Sequence, residues 1–204
     1  MSQAVVVKGA WVMAWLGRVT VGAAAVAVGG GVAAGCLGLV SGALAPDLGV
    51  GRRTRRLGPR RVDIAAPREV VFDVIAGPYL GRATRATREK VRVLERGRDM
   101  VLAAHFTPLA GGRLTATTVE TVRFTRPERV DFRLVRGPVA AVAESILLTG
   151  DGSGTRLVYA GELGTDGWAP GERWGQAVAR RWEDTVAASL SVIKREAERR
   201  ARHA

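Results

Sequence analysis

The chain has 204 residues and a formal net charge of +12, from 31 basic and 19 acidic residues. This length accommodates one domain with a sizeable core in addition to a membrane segment. A single cysteine, Cys36, excludes an intramolecular disulfide and a thiolate metal cluster. The two histidines, His105 and His203, argue against a histidine metal site. We therefore expect no bound metal and no cofactor.

The first feature of the chain is an apolar segment at 19–45 without a charged residue, longer than the roughly 20 residues that a membrane-spanning helix needs. We predict one transmembrane helix there, after a short tail at 1–18 and before an arginine-rich juxtamembrane linker at 46–61. A cleaved signal peptide is an alternative, but Pro46 would then be the first mature residue, and the apolar run is too long. A lipoprotein cleavage box at Cys36 is a second alternative, but apolar residues follow that cysteine.

Small residues share one face of the predicted span and would let two helices approach closely. The glycines on this face, through which we consider a homodimer, are Gly31, Gly35, Gly38 and Gly42. The alternative is that the alanine- and glycine-rich composition places small residues on every face.

A cluster of positive charge follows the span: Arg52, Arg53, Arg55, Arg56, Arg60 and Arg61. By the positive-inside rule, this cluster predicts a single-pass membrane protein whose carboxyl-terminal domain is cytoplasmic. The arginines are also candidate contacts for anionic lipid headgroups, each worth about 1 kcal/mol near a membrane surface. Because no aromatic residues alternate with them, we expect no specific nucleic-acid partner.

The rest of the chain, 62–204, is predicted to form one domain. In chain order we predict a strand at 61–66, a helix at 67–75, strands at 90–94, 100–106, 113–124, 129–136, 139–149 and 155–163, and a helix at 171–202. The strand predictions depend on alternation of apolar and polar residues, and Pro67 suits the first turn of a helix. This order predicts an α+β fold, an antiparallel sheet with helices on one side.

The last helix is amphipathic, because apolar and small residues recur at helical spacing over more than six turns. The predicted buried face contains Trp174, Val178, Trp182, Val186, Ser189, Val192, Ile193 and Ala197. Two tryptophans on one face need a large apolar partner, which the strands would supply.

Three short strings, together with the order of elements, resemble the START-like, SRPBCC superfamily, in particular its polyketide cyclase/dehydrase-type branch. They are Ala66–Phe72 after the first strand, Gly154–Tyr159 at the last strand, and Ser189–Lys194 in the last helix. The resemblance covers about residues 60–200. It implies a helix-grip fold, in which a curved antiparallel sheet of six or seven strands wraps the last helix and encloses an apolar cavity for a lipid, a polyketide or a similar ligand. Relatives often carry a tryptophan on a short second helix, where this chain has Tyr79.

If the sheet wraps the helix, strand alternation and the helical pattern predict which side chains line the cavity. These are Phe72, Ile75, Tyr79, Leu114, Thr118, Glu120, Phe124, Phe132, Leu134, Leu157, Tyr159, Trp174, Val178 and Trp182. The alternative is that these residues fill a closed core.

Three polar residues in otherwise apolar strands, His105, Glu120 and Glu144, are the candidate catalytic residues. A buried carboxylate beside a histidine could perform the proton transfers of an aldol cyclisation and dehydration. The alternative is that each faces solvent or only makes a structural hydrogen bond. No hydrolase, zinc-protease or phosphate-loop motif is present.

The preferred hypothesis is a membrane-anchored module that binds or transfers a hydrophobic small molecule or lipid. The alternatives are a cyclase/dehydrase-type enzyme and a protein-docking module without ligand.

Overall fold

The computed structural model describes residues 34–44, 47–82, 89–109, 112–150, 152 and 154–203. The chain divides into two compact units, Met1–Gly38 and Leu39–Ala204. Of the first unit only residues 34–38 are described, and they are helical. Most of the predicted span at 19–45 therefore lies outside the described residues, as do the predicted tail and Gly31. Within the described ranges, no helix is long and apolar enough to cross a membrane.

In its described residues, the second unit contains a seven-stranded antiparallel sheet and two helices of the grip, which confirms the predicted α+β architecture. The strands are β1 (Arg53–Ile64), β2 (Val91–Arg96), β3 (Met100–Leu109), β4 (Leu114–Thr125), β5 (Arg129–Arg136), β6 (Ala141–Gly150) and β7 (Thr155–Thr165), and the helices are α1 (Arg68–Ala76) and α2 (Trp168–Ala201). The strand order is β1-β7-β6-β5-β4-β3-β2. The first and last strands of the chain are therefore neighbours, and the curved sheet grips α2.

The first strand begins much earlier than the sequence indicated. Strand β1 pairs with β7 from Arg53 onward, so most of the predicted linker at 46–61 belongs to the sheet. Because arginines occupy much of this strand, it lacks the alternation of apolar and polar residues that indicates a strand. Charged side chains suit an edge strand, since they discourage pairing with another chain. The register shifts between Leu57 and Arg60. At this shift Gly58 has a φ of 75°, a conformation that favours glycine.

Helix α2 packs most of the predicted face against the core. The partly buried residues of that face are Trp174, Val178, Trp182, Val186 and Ile193. Gly175, Ala179, Leu190 and Ala197 are buried, whereas the tryptophans at 174 and 182 are half-buried. The small residues permit a close approach, since a Cβ atom at Gly175 would lie 2.9 Å from the Thr165 side chain. The prediction that Ser189 and Val192 are buried is wrong. With Leu190 and Ala197 toward the core, Val192 points to the far side of the helix and is 54% exposed.

The core lies between the inner face of the sheet and the two helices. Phe72 and Ile75 of α1 and Leu157 of β7 are almost fully buried, so they pack in this core. The Phe72 ring meets Phe124 edge to face, with 6.4 Å between ring centroids. In contrast, Leu114 shares its face of β4 with Thr118 and Glu120 but is 41% exposed, because the strand extends past the covered part of the sheet there.

Candidate functional site

The inner face of the sheet carries a polar cluster across β3 and β4. His105 of β3 lies directly opposite Thr118 of β4, and Glu120 follows two residues later on the same face. The Glu120 residue is 6% exposed, and the His105 side chain is 17% exposed. The two sequence-predicted candidates His105 and Glu120 are therefore on the inside of the domain and next to each other.

A chain of polar contacts joins four residues, which we call the histidine cluster: Tyr79, His105, Thr118 and Glu120. The Tyr79 hydroxyl lies 2.9 Å from His105 Nε2. On the other side of the ring, His105 Nδ1 is 3.3 Å from Glu120 Oε2 without a well-aligned hydrogen bond. The Thr118 hydroxyl donates to Glu120 Oε1 at 2.8 Å. Proton transfer along this chain would pass between a phenol, an imidazole and a carboxylate.

The position of Tyr79 follows from the end of α1. The turn after the helix returns the chain over the sheet, with the Tyr79 amide donating to Ala76 O at 3.0 Å. Arg96 of β2 donates to the Tyr79 carbonyl at 2.5 Å. The Tyr79 ring then packs between Phe124 and Phe132, with centroid distances of 5.9 and 6.3 Å. Tyr79 is thus held by a backbone hydrogen bond, by the contact of Arg96 with its carbonyl and by packing against two aromatic rings.

The histidine cluster holds Glu120 in its ionised form. Burial alone would raise the pKa of Glu120, but attraction to the nearby His105 ring and the hydrogen bond from Thr118 outweigh it, so the pKa is lowered. Burial, together with the charges of Glu120 and Glu144, raises the pKa of Tyr79 far above its ordinary value. At neutral pH the cluster therefore contains a carboxylate and a neutral phenol. This arrangement favours the tautomer in which Nδ1–H faces Glu120 and Nε2 accepts from Tyr79.

A second group, the Glu144 cluster, consists of Glu144, Tyr159 and Trp182. The Trp182 indole N–H donates to Glu144 Oε1 at 2.7 Å, and the Tyr159 hydroxyl donates to the same oxygen. Burial raises the pKa of Glu144 to about 7; the hydrogen bond from Tyr159 opposes this shift, and the nearby charge of Glu120 adds to it. Glu144 can therefore take up or release a proton near neutral pH.

Apolar side chains beside these clusters are incompletely covered. Phe132 and Leu134 lie on the inner face of β5, opposite Glu144 and Glu120. Although they face the helix side of the sheet, both remain half-buried, as do Trp174, Val178 and Trp182 of α2. Solvent thus reaches apolar surface between β5 and α2. We call this space the inner groove.

One residue assigned to the membrane surface has a different position. Arg60 lies opposite Tyr159 in the β1–β7 register, on the same side of the sheet. Among the residues that the structure describes, its Nε atom and His105 Nδ1 are buried side-chain nitrogens without a hydrogen-bond partner. The sequence did not predict Arg60 as a neighbour of the candidate site. The register shift turns its side chain inward, and such a shift has no apolar pattern in the sequence.

The outer face of the sheet carries two open depressions with volumes of about 390 and 540 Å³. Both are bordered by the row Arg129, Asp131 and Arg133 of β5, and Phe132 and Glu144 also line the larger one. In the described part of the chain, no group of three or more metal-ligating side chains is close enough together to hold an ion.

Comparison with known proteins gives similarity in structure only. No family model and no curated protein matches the sequence. Among solved structures, the Zhui aromatase/cyclase of a Streptomyces species has a TM-score of 0.57 at 18% identity, over 73% of this chain and 95% of that chain. StfQ, a di-domain aromatase/cyclase of the steffimycin biosynthetic pathway, has a TM-score of 0.58 at 13% identity, over 74% of this chain and 52% of that one.

A third similar structure is norcoclaurine synthase from Thalictrum flavum in complex with dopamine and hydroxybenzaldehyde. It has a TM-score of 0.54 at 13% identity, over 71% of this chain and 87% of that chain. These neighbours agree with the resemblance that the sequence suggested. The second unit of the chain has the same fold as these structures, a curved antiparallel sheet that wraps a long carboxyl-terminal helix.

Proposed function

We propose that the inner groove binds a hydrophobic small molecule that carries a few hydrogen-bonding groups. The observation that supports this most strongly is the half-buried apolar surface of Phe132, Leu134 and Trp182 beside the buried polar atoms of Glu144 and His105. An apolar lining with a small number of convergent polar groups is typical of ligand sites. The helix-grip fold supports the same conclusion, since the neighbours include aromatase/cyclases and a synthase in complex with two aromatic molecules.

An acid–base enzyme of the cyclase/dehydrase type is the second candidate, favoured by the near-neutral pKa of Glu144. In an aldol cyclisation, a base removes the proton from a carbon next to one carbonyl. The new carbanion forms a bond to a second carbonyl carbon, whose oxygen takes a proton. His105 Nε2 would accept the first proton while Glu120 stabilises the imidazolium, and protonated Glu144 would supply the second. In the dehydration, the Glu144 carboxylate would remove another proton from the carbon and the imidazolium would protonate the hydroxyl, which leaves as water, so that both groups return to their starting states.

The preferred version of the proposal places the domain at a membrane. The uncharged segment 19–45 would span the bilayer once, and the arginines that follow it would keep the domain on the cytoplasmic side. A ligand drawn from or delivered to the bilayer would then have a short path to the inner groove. A reporter fused after residue 204 and active only outside the membrane would contradict this orientation.

The binding proposal is tested by filling the inner groove. We would extract the full chain in mild detergent and identify molecules retained by native mass spectrometry, before and after incubation with a lipid and polyketide mixture. Leu134→Trp places a large ring in the groove. Leu147→Trp is the matched control, because Leu147 is 45% exposed on the outer face of β6. We expect the wild type and Leu147→Trp to retain a stoichiometric ligand and Leu134→Trp to lose it.

Retention that is equal in all three proteins would place the ligand elsewhere and contradict the proposal. A wild type that retains nothing would favour the protein-docking hypothesis. If a ligand is found, Glu144→Gln separates the two candidate functions. Because glutamine keeps the hydrogen-bond acceptor but cannot exchange a proton, an enzyme would lose turnover and keep binding, whereas a carrier would be unaffected.

A further inference from the structure

The segment that precedes β1 is fixed to the start of α2 by one buried carboxylate. Asp166 Oδ2 accepts hydrogen bonds from the amides of Leu48 at 2.7 Å and Gly49 at 2.8 Å. The same side chain accepts from Arg52 Nε at 2.7 Å and is 1% exposed. Arg52 also bonds Asp47 at 2.5 Å. Asp47 and Asp166 are therefore both paired with Arg52.

A tryptophan is held at the same place with its ring in solvent. The Trp168 amide donates to Gly51 O at 3.0 Å, and the Gly167 amide donates to Val50 O at 3.0 Å. The Trp168 ring lies so close to Gly51 that a Cβ atom there would be 2.4 Å from it. Gly51 also has a φ of 62°, so both the close approach of the ring and the backbone conformation favour glycine at this position. The ring is thus firmly positioned and still 60% exposed.

Two other large apolar side chains project from the segment, with Leu48 69% exposed and Val50 50% exposed. Single exposed apolar residues are common on protein surfaces, but a group of them on a fixed backbone marks an interaction surface. We call the group formed by Leu48, Val50 and Trp168 the tryptophan patch.

Charge and chain continuity indicate what covers the patch. The exposed arginines 53, 55 and 56 of β1 follow Arg52 directly, and Arg52 itself is paired with Asp47 and Asp166. On the other side, Leu48 comes three residues after the uncharged segment 19–45. Aromatic and aliphatic side chains between an apolar segment and a group of arginines are typical of a polypeptide at the interface of a bilayer.

We propose that the tryptophan patch docks on the surface of an anionic phospholipid bilayer. Leu48, Val50 and Trp168 enter the headgroup region, and the arginines at 53, 55 and 56 contact lipid phosphates. This surface goes beyond the ligand proposal, because it would orient the domain whether or not the inner groove binds a small molecule.

The proposal is tested with nitroxide labels on the full chain in nanodiscs that contain phosphatidylserine. Cys36 is an exposed free cysteine and is first replaced by serine. One protein then carries a label at Leu48→Cys. The control carries it at Val192→Cys, because Val192 is 54% exposed on α2 and about 36 Å along the helix axis from Trp168. Electron paramagnetic resonance compares collisions of each label with oxygen, which enters bilayers, and with a water-soluble nickel chelate.

We expect the label at 48 to collide more often with oxygen than with the chelate and the label at 192 to do the reverse. Replacing Arg53, Arg55 or Arg56 by glutamine is expected to reduce the ratio of immersed to water-exposed label at 48 about fivefold per residue, from about 1 kcal/mol for each basic group. Equal chelate access at 48 and 192 would overturn the proposal. So would a label at 48 that is immobilised only as protein concentration rises, because a second copy of the chain would then cover the patch.

Discussion

Glu120 and Glu144 are buried to nearly the same extent, at 6% and 9% exposure, but their environments shift their pKa values in opposite directions. Glu120 faces His105 and has a lowered pKa. Glu144 receives hydrogen bonds from the neutral donors Tyr159 and Trp182, and burial raises its pKa to about 7. Burial alone therefore does not decide the charge of a carboxyl group in this domain. The partner decides it, and one groove can hold a carboxyl group with a lowered pKa beside one whose pKa is near neutral.

The two carboxyl groups should also affect stability in opposite ways as pH changes. A lowered pKa in the folded state makes Glu120 stabilising above its unfolded pKa, and this contribution is lost as pH falls through the folded value. A raised pKa makes Glu144 most favourable to folding below its unfolded pKa, near 4.5, and the contribution is lost as pH rises toward 7.

The largest expected effect is the loss of the imidazole beside Glu120. His105→Leu leaves a buried carboxylate without its partner, so we expect the free energy of unfolding at pH 8 to fall by about 3–5 kcal/mol. The pKa of Glu120 should then rise, because only the hydrogen bond from Thr118 still opposes the effect of burial, and the variant should become more stable toward acid pH. Urea denaturation at several pH values measures both changes. His203→Leu, in the exposed terminal residues, is the control and should change neither.

A somewhat smaller effect is expected from the proton of Glu144. Between about pH 4.5 and 7 the wild type should lose on the order of 3 kcal/mol through this group, and Glu144→Gln should remove that loss. Glu162→Gln, on the exposed outer side of β7, serves as the control. The same pH dependence in Glu144→Gln and in the wild type would show that Glu144 does not titrate in this range.

A third prediction concerns the donor from α2. Trp182→Phe removes the indole hydrogen bond to Glu144 and should cost about 2 kcal/mol, from a lost bond and some apolar surface. Since that bond lowers the pKa of Glu144, its removal should raise the pKa further. The cost should shrink when Glu144→Leu, which removes the acceptor, is already present, and a double-mutant cycle measures this change. Fully additive changes would contradict a direct interaction.

The smallest predicted change is at Thr118. Thr118→Val preserves the side-chain shape and removes the hydroxyl that donates to Glu120, so we expect about 1.5 kcal/mol of destabilisation at pH 7. Thr121→Val, on the opposite face of β4, should have little effect, as measured by the same denaturation curves.

Part of this arrangement could be predicted from the sequence. Alternation in β4, β5 and β7 correctly placed Glu120, Phe132 and Tyr159 on the inner face, because one face of each strand must be buried. The pairing of His105 with Thr118 depends on the register between strands, and the contact of Trp182 with Glu144 depends on where α2 lies over the sheet. Neither is encoded in a local pattern. Arg60 was assigned to a linker because its strand carries arginines and an irregular register.

The most direct test of the account is the protonation of Glu144 in the folded protein. Carbon-13 NMR of labelled glutamate carboxyl groups, assigned with Glu144→Gln and Glu120→Gln, would follow both residues from pH 4 to 8. We expect Glu144 to titrate near pH 7 and Glu120 to titrate below the ordinary range of a glutamate. Titration of both groups together below pH 5 would contradict it, because the inner groove would then contain two ordinary carboxylates.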